Sequence, residues 1–342
     1  MIKKTCFLIV LFLFSFFETA SAHVKWFVDS DEVIKESHNA VPFYYLHSTE
    51  VIIWSIISIL VVLVFSILDR IIPPPKKLFI FGLKHDRGID RAVSIVLGLY
   101  LVCISLIWNI ILIPDIPVAS LTTFGLLIVQ LTLGILFILG VGIRTASMGV
   151  ILLLGYMTYR VGLLELGENL LTASIVVYLY IRHSPKRSII GRLDNHSVEI
   201  VRIATGISLI VMAFSEKLMY PELGLSFLQV HHWNFMYNLG LTWYSNELFV
   251  LSTGFAEMIF GVIFILGYLT RINTVLIASF FASSVVMMMA QFGQWEVEDL
   301  VVYAAATLFI FYGHGKTKFF HFIWPKSMLH TRTIENMFRK TR

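Results

Sequence analysis

The chain has 342 residues, 57% of them hydrophobic and 14% charged, and its mean hydropathy is +0.81. A composition that apolar excludes a water-soluble globule of this length. The formal net charge of +4 is concentrated in particular segments, so it reads as a membrane-topology signal and not as nucleic-acid binding.

Residues 1–22 read as a secretory signal peptide: Lys3 and Lys4 at the start, an apolar stretch over 6–17, and Ala20-Ser-Ala22 as a small-residue cleavage site. The alternative is an uncleaved anchor helix. The short apolar run and the Ala-x-Ala pattern favour cleavage, which makes His23 the mature N-terminus. A polar segment, 23–48, leads to a first span at 49–68. Eight further spans follow at 92–113, 121–142, 146–164, 169–181, 198–218, 249–269, 274–291 and 300–313. A bilayer core needs about 20 apolar residues per helix, so 169–181 and 300–313 are the short members.

The charges fit these spans. The exit of the first carries Arg70, Lys76, Lys77, Lys84, Arg87 and Arg91, next to Pro73-Pro-Pro75. Arg144, then Arg182, Lys186, Arg187 and Arg192, then Arg271, then the tail 316–342 supply the other basic segments. The intervening loops 114–120, 165–168, 219–248 and 292–299 contain no Lys or Arg. The positive-inside rule therefore puts the N-terminus in the periplasm and the C-terminus in the cytoplasm.

One stretch occurs twice. Gln130, Gly134, Gly140 and Arg144 return as Glu257, Gly261, Gly267 and Arg271 at a constant offset of 127 residues. The fold expected is all-α and polytopic: one leading transmembrane helix, then two tandem four-helix bundles at 87–185 and 196–315 in the same orientation. The basic tail is 316–342.

The second copy is ionisable where the first is neutral, which points to Glu257, because an ionisable group at membrane depth is a functional hypothesis by default. Lys217 and Arg202 are its candidate partners, as catalytic residues or as a structural ion pair. Lys217 and Arg202 also have the ordinary reading of snorkelling to the interface. Glu216 and Lys217, adjacent on a helix, are expected to diverge and not to pair. Arg160 is expected to pair with Glu165 or to snorkel.

A metal site is the second line of thought. A free amine and imidazole on His23, joined by His231 or His232 from the 219–248 loop, form a nitrogen-rich set suited to copper. Against it stands the lack of any ligand spacing, and the ordinary reading of the loop, with Trp233, Trp243 and Tyr244, is an interfacial aromatic belt. Cys6 leaves with the signal and Cys103 stands alone in an apolar helix, so no dithiol chemistry and no cysteine zinc cluster are expected.

Arg202 with Gly206, Glu216-Lys217, Phe255-Ala-Glu257 with Gly261, and the run from Leu266 to Arg271 together resemble a DoxX-type four-helix membrane unit. The first repeat keeps Gly134, Gly140 and Arg144 but not the acidic residue, and the start at His23 is similar to larger DoxX-like proteins. The resemblance implies a bacterial inner-membrane protein and, as in the namesake members, a membrane subunit of a thiosulfate:quinone oxidoreductase with a membrane or periplasmic redox partner. Three readings stay open: a membrane subunit of a quinone-linked redox or small-solute system, a copper- or partner-binding membrane protein, and a scaffold without ligand.

Overall fold

The computed structural model describes residues 47–293 and 299–315, with Pro42, Tyr45 and Val297. The signal segment 1–22, His23, the greater part of 23–48, Glu296, Glu298 and the tail 316–342 lie outside the described residues. The described chain is helical almost throughout. Helix α1 spans Ser48–Ile71 and gives way to the three prolines, which have no N–H to continue it. Helix α2 follows at Lys76–Lys84 and α3 at Asp86–Cys103.

Helix α3 widens into a π turn, Ile104–Trp108, and stops at Asn109, which is left-handed at φ 54°. The sequence carried this span on to residue 113. Instead β1 (Ile110–Ile111) and β2 (Ile113–Pro117) form a small antiparallel ribbon. Pro114 and Pro117 have no N–H to give a helix, and asparagine tolerates the left-handed turn better than most residues.

Helix α4, Leu121–Leu139, starts on a capping box in which Ser120 and Thr123 bond each other's backbone. Then come α5 (Ile143–Val161), α6 (Leu163–Glu168), α7 (Leu170–Arg182) and a 3-10 segment at Ile190–His196. Helix α8, Ser197–Ala213, again ends in a π turn, Phe214–Leu218. The loop 219–248 holds two helices of its own, α9 (Pro221–His231) and α10 (Phe235–Asn238). Helices α11 (Asn246–Leu266), α12 (Thr270–Phe292) and α13 (Leu300–Tyr312) complete the described chain. Each of the nine expected spans is met by a helix. Among the described residues five stretches are long and apolar enough to cross a membrane: α1, α3 with its π turn, α4, α8 with the turns that flank it, and α11. Helices α7 and α13 are apolar but shorter. Ile52, Ile56, Ile59 and Leu63 on α1 are more than half exposed, a surface suited to lipid and not to water.

The chain divides into two compact units, and the division cuts across the sequence repeat. The larger comprises Val61–Val211, Phe260–Val275 and Val297 onward. In it α3 and α4 pack at the closest distance that backbones allow. A Cβ on Gly98 would lie 2.6 Å from the Gly134 carbonyl oxygen and 2.9 Å from the Ile138 nitrogen. The same arrangement recurs between Gly206 and Gly261, where a Cβ on Gly206 would meet the Gly261 oxygen at 2.5 Å and the Ile265 nitrogen at 3.0 Å.

The helix ends match as well. Gly140 (φ 74°) closes α4 with Val141 N–H donating to the Leu136 carbonyl, and Gly267 (φ 73°) closes α11 with Tyr268 N–H donating to Ile263. Both are Schellman closures, for which glycine is suited because it has no Cβ to strain the left-handed position. Over each closure lies a guanidinium: Arg91 donates to the carbonyls of Phe137 and Ile138, and Arg202 to those of Phe264 and Ile265. A third case follows at Gly313, where Arg271 donates to Ile310 and Phe311 at 2.7 and 2.8 Å.

The smaller unit comprises the described residues up to Leu60, with Met212–Ile259 and Leu276–Glu296. Its core is aromatic: Phe227, Trp233, Tyr244, Phe249 and Phe255 are all buried, and Trp54 stacks on Phe255 at 6.5 Å.

The glycine crossing is directly testable. Gly206→Ala is expected to lower stability by about 1–3 kcal/mol, because backbone blocks the new methyl group. Gly125→Ala, with nothing within 4 Å of the new Cβ, should be neutral or gain up to about 1 kcal/mol in helix propensity. Thermal unfolding of the two variants in detergent measures the contrast.

Candidate functional site

Within the smaller unit the ionisable residues gather at the π turn Phe214–Leu218. Four successive residues of this turn, Ser215, Glu216, Lys217 and Leu218, are buried. A lipid-facing helix could not bury four in a row, since successive side chains sweep around its axis. Here α9 packs against the turn and covers it. Gly254 lets α11 come close: a Cβ there would meet the Leu218 side chain at 2.9 Å and Lys217 Cβ at 3.2 Å.

One helical turn past Gly254 stands Glu257. Lys217 Nζ lies 3.0 Å from Glu257 Oε1 and 3.0 Å from Oε2. Glu216 Oε2 is 3.7 Å from the same nitrogen. The three residues are 0%, 3% and 5% exposed in the order Glu216, Lys217, Glu257. Beside them Ser215 Oγ is buried and has no hydrogen-bond partner among the described residues.

Two expectations are corrected by this geometry. Lys217 does not snorkel outward; it turns inward to Glu257, which holds both of its oxygens toward the ammonium. Glu216 and Lys217 do pair, because the turn is π and not α and because both side chains are long enough to close on one point. Helix-wheel reasoning at α spacing misjudged them.

Arg202 does not join the trio. It belongs to the larger unit, is 1% exposed, and donates to the Phe264 and Ile265 carbonyls, with Glu199 Oε1 at 3.5 Å from Nη2. Its role is to close the C-terminal end of α11, where unsatisfied carbonyls favour a cation. Snorkelling, expected for Arg202, is not what it does. Arg160 bonds Tyr156 Oη at 2.8 Å and lies over the Tyr156 ring.

The histidines part company. His231 is buried with its ring 4.6 Å from that of Phe227, and burial lowers its pKa below the usual imidazole value. His232 is exposed and left-handed at φ 50°, which turns the backbone after α9. They therefore do not present a joint pair of nitrogens. Among the described residues no group of three or more His, Cys, Asp or Glu is placed to hold a metal ion, and His23 lies outside them.

A second charged centre, in the larger unit, escaped the sequence reading. Arg182 pairs with Asp86, with Asp90 at 2.9 Å and with Asp194 at 2.8 Å. Tyr178 Oη donates to Asp90 and Tyr312 Oη to Asp86. This network ties α3, α7, α13 and the 3-10 segment together. Asp86 and Asp90 stand four apart on one face of α3, the one hint the sequence offered, while Arg182 looked like part of a solvated basic loop.

Gln130, the neutral counterpart of Glu257 in the sequence repeat, is fully buried and fully engaged. Its Nε2 donates to Ser105 Oγ (2.9 Å) and to the Ile110 carbonyl (3.1 Å), and its Oε1 accepts from Leu112 N–H (3.0 Å). It is a structural clamp on the ribbon. Comparison of the chain with protein-family models, with curated proteins and with solved structures returned no match.

The trio makes an asymmetric prediction. Lys217→Met takes the ammonium from the buried Glu257 carboxylate and is expected to cost about 3–5 kcal/mol, the range for a broken buried ion pair. Glu257→Gln leaves Lys217 with Glu216 and should cost less, about 1–3 kcal/mol. Unfolding titrations in mixed detergent read the two losses; equal losses would mean that Glu216 does not share the cation.

Proposed function

We propose that this chain is a DoxX-like multi-pass protein of the bacterial inner membrane, serving as a membrane subunit of a quinone-linked redox or small-solute system and working through Glu257, Lys217 and Glu216. The observation that carries the reading is the buried trio in a π turn with an unsatisfied hydroxyl at Ser215. Buried ionisable groups in spanning helices are costly and mark working sites, π turns recur at such sites, and a buried hydroxyl without a partner is a place for a ligand. The alternative of a purely structural ion pair has its own example in the Arg182 network, where the guanidinium and its carboxylates are tied to one another and to Tyr178 and Tyr312.

The proposal includes an internal duplication, helices α3, α4, α5 and α7 corresponding to α8, α11, α12 and α13. What supports it is the recurrence of the glycine crossing, the Schellman closure, the arginine over it and the π turn. An even number of spans per repeat gives both the same orientation. The nine-span topology, periplasmic N-terminus and cytoplasmic C-terminus rest on the Lys and Arg distribution.

Orientation is measured by reporter fusions. Fusions after Lys77, Pro117, Arg187 and Arg342 are expected to read inside, outside, inside and inside, and an outside signal at Arg187 or Arg342 overturns the topology.

Function is tested on protein purified in lipid nanodiscs. Solvent extraction and mass spectrometry should recover a quinone or another small molecule near one per chain from wild type. Much less should come from a Lys217→Met, Glu257→Gln double variant that still unfolds cooperatively. Equal recovery from both, or none from wild type, sinks the assignment of the trio as a ligand site.

A further inference from the structure

At one end of the larger unit the chain breaks its helices and exposes a set of cations. Helix α2 lies between the prolines after α1 and the start of α3. Its nine residues extend only about 13 Å, too short to cross a bilayer core of about 30 Å. Lys77, Ile80, Phe81 and Lys84 stand at i, i+3, i+4 and i+7, so they share one face, and all four are exposed. The opposite face carries Gly82, where a Cβ would meet Phe311 Cβ at 3.1 Å, so that face is turned to α13. What α2 presents outward is an apolar pair between two lysines, with Ile80 41% and Phe81 46% exposed.

The same end carries a second stretch of this composition. Between α7 and α8 the chain exposes Lys186, Arg187 and Arg192, and among them Ile189, which is 81% exposed. Arg182 fixes where this stretch lies. It pairs with Asp86 at the start of α3, with Asp90 one turn on, and with Asp194 in the 3-10 segment, while Tyr312 at the end of α13 bonds Asp86. The network therefore brings both basic stretches to one end of the unit, with Arg87 exposed beside Asp86. It also commits three carboxylates of that end to one guanidinium, while the lysines and the other arginines stand at the surface.

Exposed lysine and arginine interleaved with exposed isoleucine and phenylalanine make a poor surface for water. They make a good one for the headgroup layer, where apolar side chains enter the acyl boundary and cationic heads reach phosphate. The spans of this unit, α3 and α4 among them, suit a bilayer, and the ends of such helices border its headgroups. We propose that α2 and the 185–192 segment form a docking surface for anionic phospholipid headgroups of the membrane that holds the chain. Lys77, Lys84 and Arg87 supply the charge on one side, and Lys186, Arg187 and Arg192 supply it on the other. Ile80, Phe81 and Ile189 anchor the surface among the acyl chains. The inference goes beyond the proposed working site, uses no residue of the trio and needs no quinone.

The test titrates the purified full chain, in dodecyl maltoside micelles, with dioleoyl phosphatidylglycerol or separately with dioleoyl phosphatidylcholine. Bound lipid is counted by native mass spectrometry. The two lipids share their acyl chains and differ in net headgroup charge. Wild type is expected to bind phosphatidylglycerol more tightly, and each cation removed should lower that affinity by up to about fivefold. The triple variant Lys77→Gln, Lys84→Gln, Arg87→Gln should therefore fall toward the phosphatidylcholine value. Ile80→Ser with Phe81→Ser should weaken both lipids alike. Arg144 lies over the Tyr180 ring near the end of α7, which puts Arg160, at the other end of α5, far from this surface. Arg160→Gln should accordingly change nothing. The wild-type comparison needs no variant to fold, and equal binding of the two lipids overturns the proposal. So does a triple variant that keeps the wild-type preference, or an Arg160→Gln chain that loses it. Displacement of phosphatidylglycerol by an equal amount of poly-glutamate would make an acidic protein the better occupant, and would also overturn it. Recovery or loss of a small molecule at the trio moves none of these readouts, so the two readings fail separately.

Discussion

Helices that cross a membrane satisfy their own backbone except at the ends, where the last carbonyls have no partner and water is scarce. The larger unit depends on how that deficit is met. Arg91, Arg202 and Arg271 each reach from one helix to the last turn of another and donate to two successive carbonyls. Each guanidinium lies against a left-handed glycine, at Gly140, Gly267 and Gly313, where a Cβ would come within 2.5 to 3.1 Å of it. Removing the side chain at the closure is therefore what admits the arginine. The cation meets the negative end of the helix dipole, so one group supplies hydrogen bonds, charge complementarity and a fixed distance between two helices.

That fixed distance has a consequence further along. With Arg91 holding the end of α4 and Arg202 the end of α11, the paired helices are drawn together at Gly98 with Gly134 and at Gly206 with Gly261. In a membrane no hydrophobic force favours one helix pairing over another, so close backbone approach and dispersion carry the association. Beyond each crossing the first helix of the pair leaves α geometry for a π turn, at Ile104–Trp108 and Phe214–Leu218. The extra residue per turn swings side chains out of the α register. In one case it brings Ser105 to Gln130; in the other it allows Glu216, Lys217 and Leu218 to be buried together.

The sequence showed the helices because apolar length is a property of composition, and it suggested a repeat because Gly134, Gly140 and Arg144 recur as Gly261, Gly267 and Arg271. It also singled out Glu257 and Lys217. It did not reveal that Lys217 and Glu216 meet, since that depends on a π turn whose residues carry no distinct pattern. It took Arg202 for a possible partner of Glu257 because hydropathy gives depth but not direction, and carbonyls that attract a guanidinium are invisible in side-chain identity. The Arg182 network was hidden for another reason: Asp86 and Asp90 lie 96 and 92 residues away in sequence. The end of α3 was misjudged at Asn109, where a turn residue outweighs the isoleucines after it.

Gln130 and Glu257, at the same place in the recurring stretch, differ in one atom type, and their surroundings differ accordingly. Gln130 can donate and accept at once, and it does both, with Ser105, Ile110 and Leu112. Such a residue fixes the chain after its π turn, and the ribbon that follows is short. A carboxylate at Glu257 can only accept while ionised, so it cannot hold a carbonyl in the way Gln130 holds that of Ile110. It requires a donor instead, which Lys217 supplies, and the ammonium in turn draws in Glu216. The segment after this second π turn is then free of the clamp and is long enough to form α9 and α10, with α9 covering the turn. A neutral amide makes a closed hydrogen-bond set that nothing need enter or leave. An ionised carboxylate in the same kind of place can be held only by donors, and Lys217, 3.0 Å from both oxygens of Glu257, is such a donor.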